Sequence, residues 1–411
     1  MMEEKRKFDL AALEESLKSG AIAWRCRRRL QPAEGPGGKV FPSTYASTNA
    51  GAVYAEEERI IDGERVPCVV LDSVQSQSNR MEQALRHAYY REGASECEIP
   101  LIAVDFESAG LPEIGWITSL DAPHRIADAI LRDSLYGGKR FRETEIGKHF
   151  TEATAANATV LYGCCPFALT LGIWDSTGPR GGLGTKFQRA VVSEIVAVNA
   201  VKGCKTLSRI DPLNIAKDSA TVYEAKDDAL LSWTAIESEA KMKGKSALKI
   251  KDGKPSNVNH GNIPPKCEQG KGGVTCDYAL QTSVLSLAAL RKLHFHVKAN
   301  RFVDDEARVV LAALGLCGVV LSQGELDLRS RCLLVPESAC EWECIYADGS
   351  VVQYAISAEE VKAVLSAAID KASEAGLPWN REVMVLTPSK PLVDLVKKSM
   401  EKQATTGETE G

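Results

Sequence analysis

Val66-Pro-Cys-Val-Val-Leu-Asp-Ser-Val-Gln-Ser-Gln-Ser-Asn-Arg-Met-Glu82 carries a strand straight into a helix. The β-branched run predicts a strand over Val66–Ser73, and the spacing of Val74, Met81, Leu85 and Ala88 predicts a helix from about Val74 to Tyr90. Gln75, Ser76, Asn79 and Arg80 then fall on its polar side. Amide, hydroxyl and guanidinium groups at a helix N-terminus suit phosphate and ribose.

Outward from this junction, residues 8–20 predict a helix and Ala23–Pro32 a strand. Alternation turns Trp24, Cys26 and Arg28 one way and Arg25, Arg27 and Arg29 the other. Pro100–Phe106 reads as a strand, and Asp121 as the N-cap of a helix carrying His124, Asp128 and Arg132 along one ridge. Phe167–Trp174 and Ser193–Val201 read as strands, 277–293 and 304–316 as helices, and Arg331–Pro336 as a strand. Trp342–Tyr346 and Ser350–Ile356 read as a hairpin around Asp348-Gly349, Ser357–Gly376 as a helix capped by Ser357, and Val383–Thr387 as a last strand. Helices and strands do not alternate strictly and hairpins occur, which predicts an α+β sheet with helices on one face. Residues 1–204 and 274–398 form the expected body, 205–273 an inserted arm, and 399–411 a disordered polar tail.

The run Trp174-Asp-Ser-Thr-Gly-Pro-Arg-Gly-Gly-Leu-Gly-Thr-Lys-Phe-Gln-Arg189 offers glycine-freed backbone beside cations. It leads into an amphipathic run, read as a short helix, around Phe187, Ala190, Val191 and Ile195. A Walker loop fails here because Thr185 separates Gly184 from Lys186. The dinucleotide fingerprint fails because Phe187 stands where the third glycine belongs. Arg180, Gly181, Gly182, Gly184, Lys186 and Arg189 therefore fit a longer polyanion better than a nucleotide.

The chain has 411 residues, 44% hydrophobic and 26% charged, with net charge −5, an ordinary soluble composition. No apolar run is long enough to span a membrane and the N-terminus lacks an apolar signal core, so the expected compartment is the cytoplasm. The twelve cysteines include no Cys-x-x-Cys pair, and Cys340 and Cys344 read as core residues on one strand face. His294 and His296 lack ligand company, and no nucleophile or carboxylate pair stands out; no metal, cofactor or catalysis is expected. Lysines crowd 241–273, where Pro255, Pro264, Pro265 and glycines argue against a long regular element.

Several runs together resemble the RAMP-superfamily backbone subunit of the type I-G (formerly I-U) CRISPR effector complex. They are Arg29-Leu-Gln-Pro32, Phe41-Pro-Ser-Thr-Tyr45, Leu71–Glu82, Ala122-Pro-His-Arg-Ile-Ala-Asp128, Trp174-Asp-Ser-Thr-Gly178 and Lys186-Phe-Gln-Arg189, followed by Arg209-Ile-Asp-Pro212, Gly261-Asn-Ile-Pro-Pro265 and Arg329–Leu334. The resemblance implies a modified ferredoxin-like, RRM-type palm with inserted finger and thumb elements. Copies would polymerise along the CRISPR RNA spacer and present it for pairing with invading DNA, reading backbone and shape rather than sequence. Implied partners are CRISPR RNA, target DNA through the guide, neighbouring copies, the RNA-end-binding and large subunits, and a helicase-nuclease recruited later. RNA contacts are expected from Arg25, Arg27, Arg29, Gln75, Ser76, Asn79, Arg80, Arg125, Arg180, Lys186 and Arg189, with Gly181, Gly182 and Gly184 allowing close approach. The alternative is RNA cleavage, as in related type III subunits, by a loop aspartate such as Asp72 or Asp175.

Overall fold

The computed structural model describes residues 6–48, 51–178, 184–226, 229–297 and 301–410. Two units divide the chain: Met1–Val201 with Thr275–Val393, and Lys202–Val274 with Asp394–Gly411. The fold is α+β.

In the first unit, β1 (Arg6–Lys7), β2 (Ala21–Pro32), β3 (Glu56–Ile61), β4 (Glu64–Asp72), β5 (Val191–Val198), β6 (Tyr278–Ser286), β7 (Leu334–Pro336), β8 (Trp342–Tyr346) and β9 (Val351–Ala355) make a nine-stranded sheet. Its order is β1-β9-β8-β2-β6-β5-β4-β3, with β7 also pairing β2. Neighbours are antiparallel except β1 and β9. A five-stranded sheet joins 139–140, 134–136, 384–388, 102–105 and 116–118 in that order.

Helices α1 (Leu10–Lys18), α2 (Val74–Tyr89), α3 (Asp304–Ser322) and α4 (Ala358–Glu374) follow the capping logic of their sequences. Asp9, Ser73 and Ser357 accept N-terminal backbone hydrogen bonds in α1, α2 and α4, and Ser357 with Glu360 forms a capping box. The α3 helix is buried along most of its length and packs on α1, α2 and α4. It lies close to the sheet because position 315 is glycine: a Cβ there would sit 2.8 Å from Val191 Cγ2.

Alternation sorts the central strands. Trp24, Cys26, Arg28 and Leu30 of β2 stand opposite Leu285, Ser283, Gln281 and Ala279 of β6, all buried on the helix side. A chain of satisfied polar groups lies there. Arg28 donates to Gln281 Oε1 through Nε (3.0 Å) and Nη2 (2.7 Å). Gln281 Nε2 and Ser193 Oγ donate to Gln77 Oε1 at 2.9 and 2.8 Å. This chain pins α2 to the sheet in one register. The opposite face carries Arg25, Arg27 and Arg29.

Several local expectations give way. Residues 278–286 form β6, not a helix, because β2 and β5 claim both of its hydrogen-bonding edges; only Leu287–Leu290 is helical. Phe167–Leu171 is a buried helix, begun at Pro166 and ended by Gly172, and the strand is reduced to Ile173–Trp174. A short apolar run is compatible with either state, and here burial on all sides removes the period. The stretch after the glycine-rich run holds the strands Lys186–Phe187 and β5 instead of a helix. Asp121 does not cap a helix: it accepts from Thr118 N and Oγ1, while Asp128 caps Ala129–Arg132. His124, Asp128 and Arg132 consequently share no helical ridge. Cys344 is buried on β8, but Cys340 precedes that strand, its Sγ 2.6 Å from that of Cys26.

The second unit holds all but the end residues Val201 and Thr275 of a ribbon that pairs Val201–Arg209 with Ile263–Thr275 and accommodates Pro264 and Pro265 at one end. A Cys204–Cys267 disulfide crosses it. Lys243, Lys245, Lys249, Lys251 and Lys266 are exposed. A helix, Lys390–Glu410, runs through the segment read from sequence as a disordered tail. Among the described residues, no helix is long and apolar enough to cross a membrane.

Candidate RNA interface

The β4–α2 junction is held by Asp72, buried between two donors: Gln77 Nε2 at 2.5 Å and Arg80 Nε at 2.9 Å. Arg80 also donates to the Leu328 carbonyl at 2.6 Å, so its guanidinium braces the junction. Gln75 and Asn79 are exposed and Ser76 is half-buried. Ser73 caps the helix, its Oγ accepting from Ser76 N at 3.3 Å.

Gln75 and Asn79 open onto a cleft of about 610 Å³. Trp174, Lys186, Gln188 and Arg189 form its other wall, with His124 and Arg125 also lining it. A smaller cleft of about 300 Å³, lined by Ser76, Asn79, Arg80 and Asp121, adjoins at Asn79 and Pro123. The far wall is a two-stranded ribbon in which Ile173 faces Phe187 and Trp174 faces Lys186. This pairing sets the Lys186 ammonium 5.3 Å from the Trp174 ring centroid.

Gly172 shapes the turn before that ribbon. It sits at φ +83, and a Cβ there would lie 2.8 Å from Arg189 Cγ and 3.1 Å from Arg189 N. Only glycine lets Arg189 pass so close. The Gly172 carbonyl accepts from Arg125 Nη1 at 2.8 Å, and Arg125 Nε lies 2.7 Å from Glu82 Oε1. Both side chains are buried. Arg125 thus braces the cleft from behind, itself held at φ +53.

Burial pushes the Glu82 carboxyl up to about 7, and Arg125 offsets only part of that cost. Glu82 therefore holds its proton in the folded protein at pH values where the unfolded chain has lost it. Its contribution to stability falls as pH rises from its ordinary 4.5 through about 7. Glu82→Gln is expected to flatten that part of the profile, read as the difference in urea midpoints between variant and wild type at pH 5 and pH 8. An unchanged slope would show that Glu82 is ionised throughout.

Asp175 is buried and accepts from Arg142 Nη2 at 2.7 Å and Thr177 N at 3.2 Å. On the sheet face away from the helices, Arg25 pairs with Glu343 at 2.7 Å, the Arg29 guanidinium lies 4.1 Å over the Tyr278 ring, and Arg27 is exposed. Gly184 is half-buried. Arg180, Gly181 and Gly182 lie outside the described residues. His294 Nδ1 meets Asp304 Oδ2 at 2.7 Å, a carboxylate partner that local spacing did not reveal. No group of three or more His, Cys, Asp or Glu suited to a metal occurs among the described residues.

The structure brings Gln75, Asn79, Arg125, Lys186 and Arg189 together, places Ser76 and Arg80 at the adjoining cleft, and sets Arg25, Arg27 and Arg29 on the sheet. Sequence reasoning gave no role to Trp174, Gln188 or His124. The exposed tryptophan opening a glycine-rich, cationic run was the available signal.

Residues 24–202, which span this cleft, match the family model described as CRISPR-associated protein GSU0053. The match supports a Cas protein with a role in CRISPR defence. No curated protein matches the sequence.

Proposed function

We propose that the protein is a non-catalytic CRISPR RNA-binding backbone subunit of the type I-G effector complex. It polymerises along the guide spacer and presents it for pairing with target DNA. The observation that carries this reading is the convergence of Gln75, Asn79, Lys186 and Arg189, from separate parts of the chain, on one cleft without a nucleotide loop. Cations supply sequence-independent attraction, and the amides supply hydrogen bonds to sugar and phosphate.

Topology favours an RRM-type palm. Within the sheet, the order β8-β2-β6-β5, all antiparallel, has α2 between β2 and β5 in the chain and α3 between β6 and β8. That is the split βαβ arrangement of ferredoxin-like folds. The 205–273 arm supplies the inserted finger and thumb elements. Asp72 and Asp175 are buried and engaged by arginines, which favours a structural role over cleavage.

The protein purified from a recombinant host should carry RNA, seen as a raised A260/A280 ratio and as oligomers that shrink on nuclease treatment. A nucleic-acid-free monomer that binds no added single-stranded RNA would overturn the reading.

A further inference from the structure

Phosphate recognition accounts for the cations of the cleft but not for its aromatic wall. Trp174 is 54% exposed, a large apolar ring left in water. Its backbone is fixed by the ribbon partner Lys186 and by the bond from Asp175 N to Thr185 O at 2.8 Å, so the indole is presented on a rigid support. Gln75, Asn79 and Gln188 line the same cavity. A primary amide both donates and accepts, so such side chains can bond the edge of any base. A π-face beside ambivalent amides and flanking cations suits a ring carried on a phosphate chain.

We propose that this cleft is a nucleobase subsite, in which one unpaired RNA base stacks on the Trp174 indole. Gln75, Asn79 and Gln188 reach its edge, and Lys186 and Arg189 hold the adjoining phosphates. Because stacking accepts every base and the amides bond either way, the subsite discriminates single-stranded RNA from duplex rather than one base from another. A duplex keeps its bases in the stack and leaves the indole unoccupied. The proposal rests on the RNA-binding reading of the same cleft.

The test uses a mixed-sequence single-stranded RNA, the same RNA made abasic at its central positions, and inorganic polyphosphate. Trp174→Ala is expected to weaken binding of the intact RNA by about ten- to a hundred-fold while leaving the abasic RNA nearly unaffected. Trp174→Phe should keep most of the affinity. The chain has six tryptophans, so the fluorescence quench assigned to Trp174 is the difference between wild type and Trp174→Phe. Unfolding curves of each variant separate a folding defect from a lost contact. Equal wild-type affinity for intact and abasic RNA, or an unaffected folded Trp174→Ala, overturns the base subsite and leaves the RNA-binding reading intact. If wild-type protein binds neither RNA, the RNA-binding reading itself falls.

Discussion

At pH 8, Arg125→Ala is expected to cost about 3–5 kcal/mol of folding stability, because it removes the cation that holds the buried Glu82 carboxylate. Glu82 and Arg125 lie 2.7 Å apart, with side chains only 3% and 7% exposed, so water cannot replace the lost partner. The Nη1 bond to the Gly172 carbonyl is lost as well, and with it the brace behind the turn that carries Trp174. The loss should shrink toward pH 5, where Glu82 is protonated and a neutral carboxyl is cheaper to bury. Replacing both partners by uncharged side chains of similar size, Glu82→Gln with Arg125→Met, should recover much of the deficit, since desolvating the pair offsets most of its attraction. Urea unfolding at pH 5 and pH 8 measures all of this. A loss below about 1 kcal/mol at both pH values would mean that Glu82 finds another partner, or that water enters.

How legible this molecule is from its sequence depends on whether the deciding partners are local. The β4–α2 junction, the sidedness of β2, the β8–β9 hairpin and the capping of α4 rest on residues within a turn of one another, and all are as the sequence implies. The β6 strand is not. Ala279, Gln281 and Ser283 are small or polar, and Leu280, Val284 and Leu287 mimic a helical stripe. Only pairing with β2 and β5, distant in sequence, makes the segment extended. Asp121 shows a similar substitution of partners: Thr118 and Arg86 engage it before any helix does, and Asp128 takes the capping role.

In the cleft, the chemistry of Gln75, Asn79, Lys186 and Arg189 is plain from composition. Their meeting is not, because α2 and the ribbon of Ile173–Trp174 with Lys186–Phe187 are distant in sequence. Arg80 and Arg125 look like surface cations in sequence. Their guanidiniums are instead consumed by Asp72 and Glu82.

Lys186→Ala combined with Arg189→Ala should weaken single-stranded RNA binding by about 25-fold at 0.1 M salt. Each phosphate contact on a single strand contributes about 0.7 to the slope of log K against log salt, so losing two lowers the slope by about 1.4. The loss should be uniform across RNA sequences, because these cations meet backbone rather than base edges. Gln75→Ala with Asn79→Ala removes no charge, and should lower affinity at an unchanged slope. Arg27→Ala provides the comparison on the sheet face, where Arg25 is already paired with Glu343 and Arg29 lies over Tyr278. A slope that falls for Arg27→Ala but not for the Lys186 and Arg189 pair would move the RNA backbone from the cleft to the open sheet. A fall in both would place it across the two. Since the side chains of Lys186 and Arg189 are exposed, stability should change little, and the titrations then report contacts rather than folding.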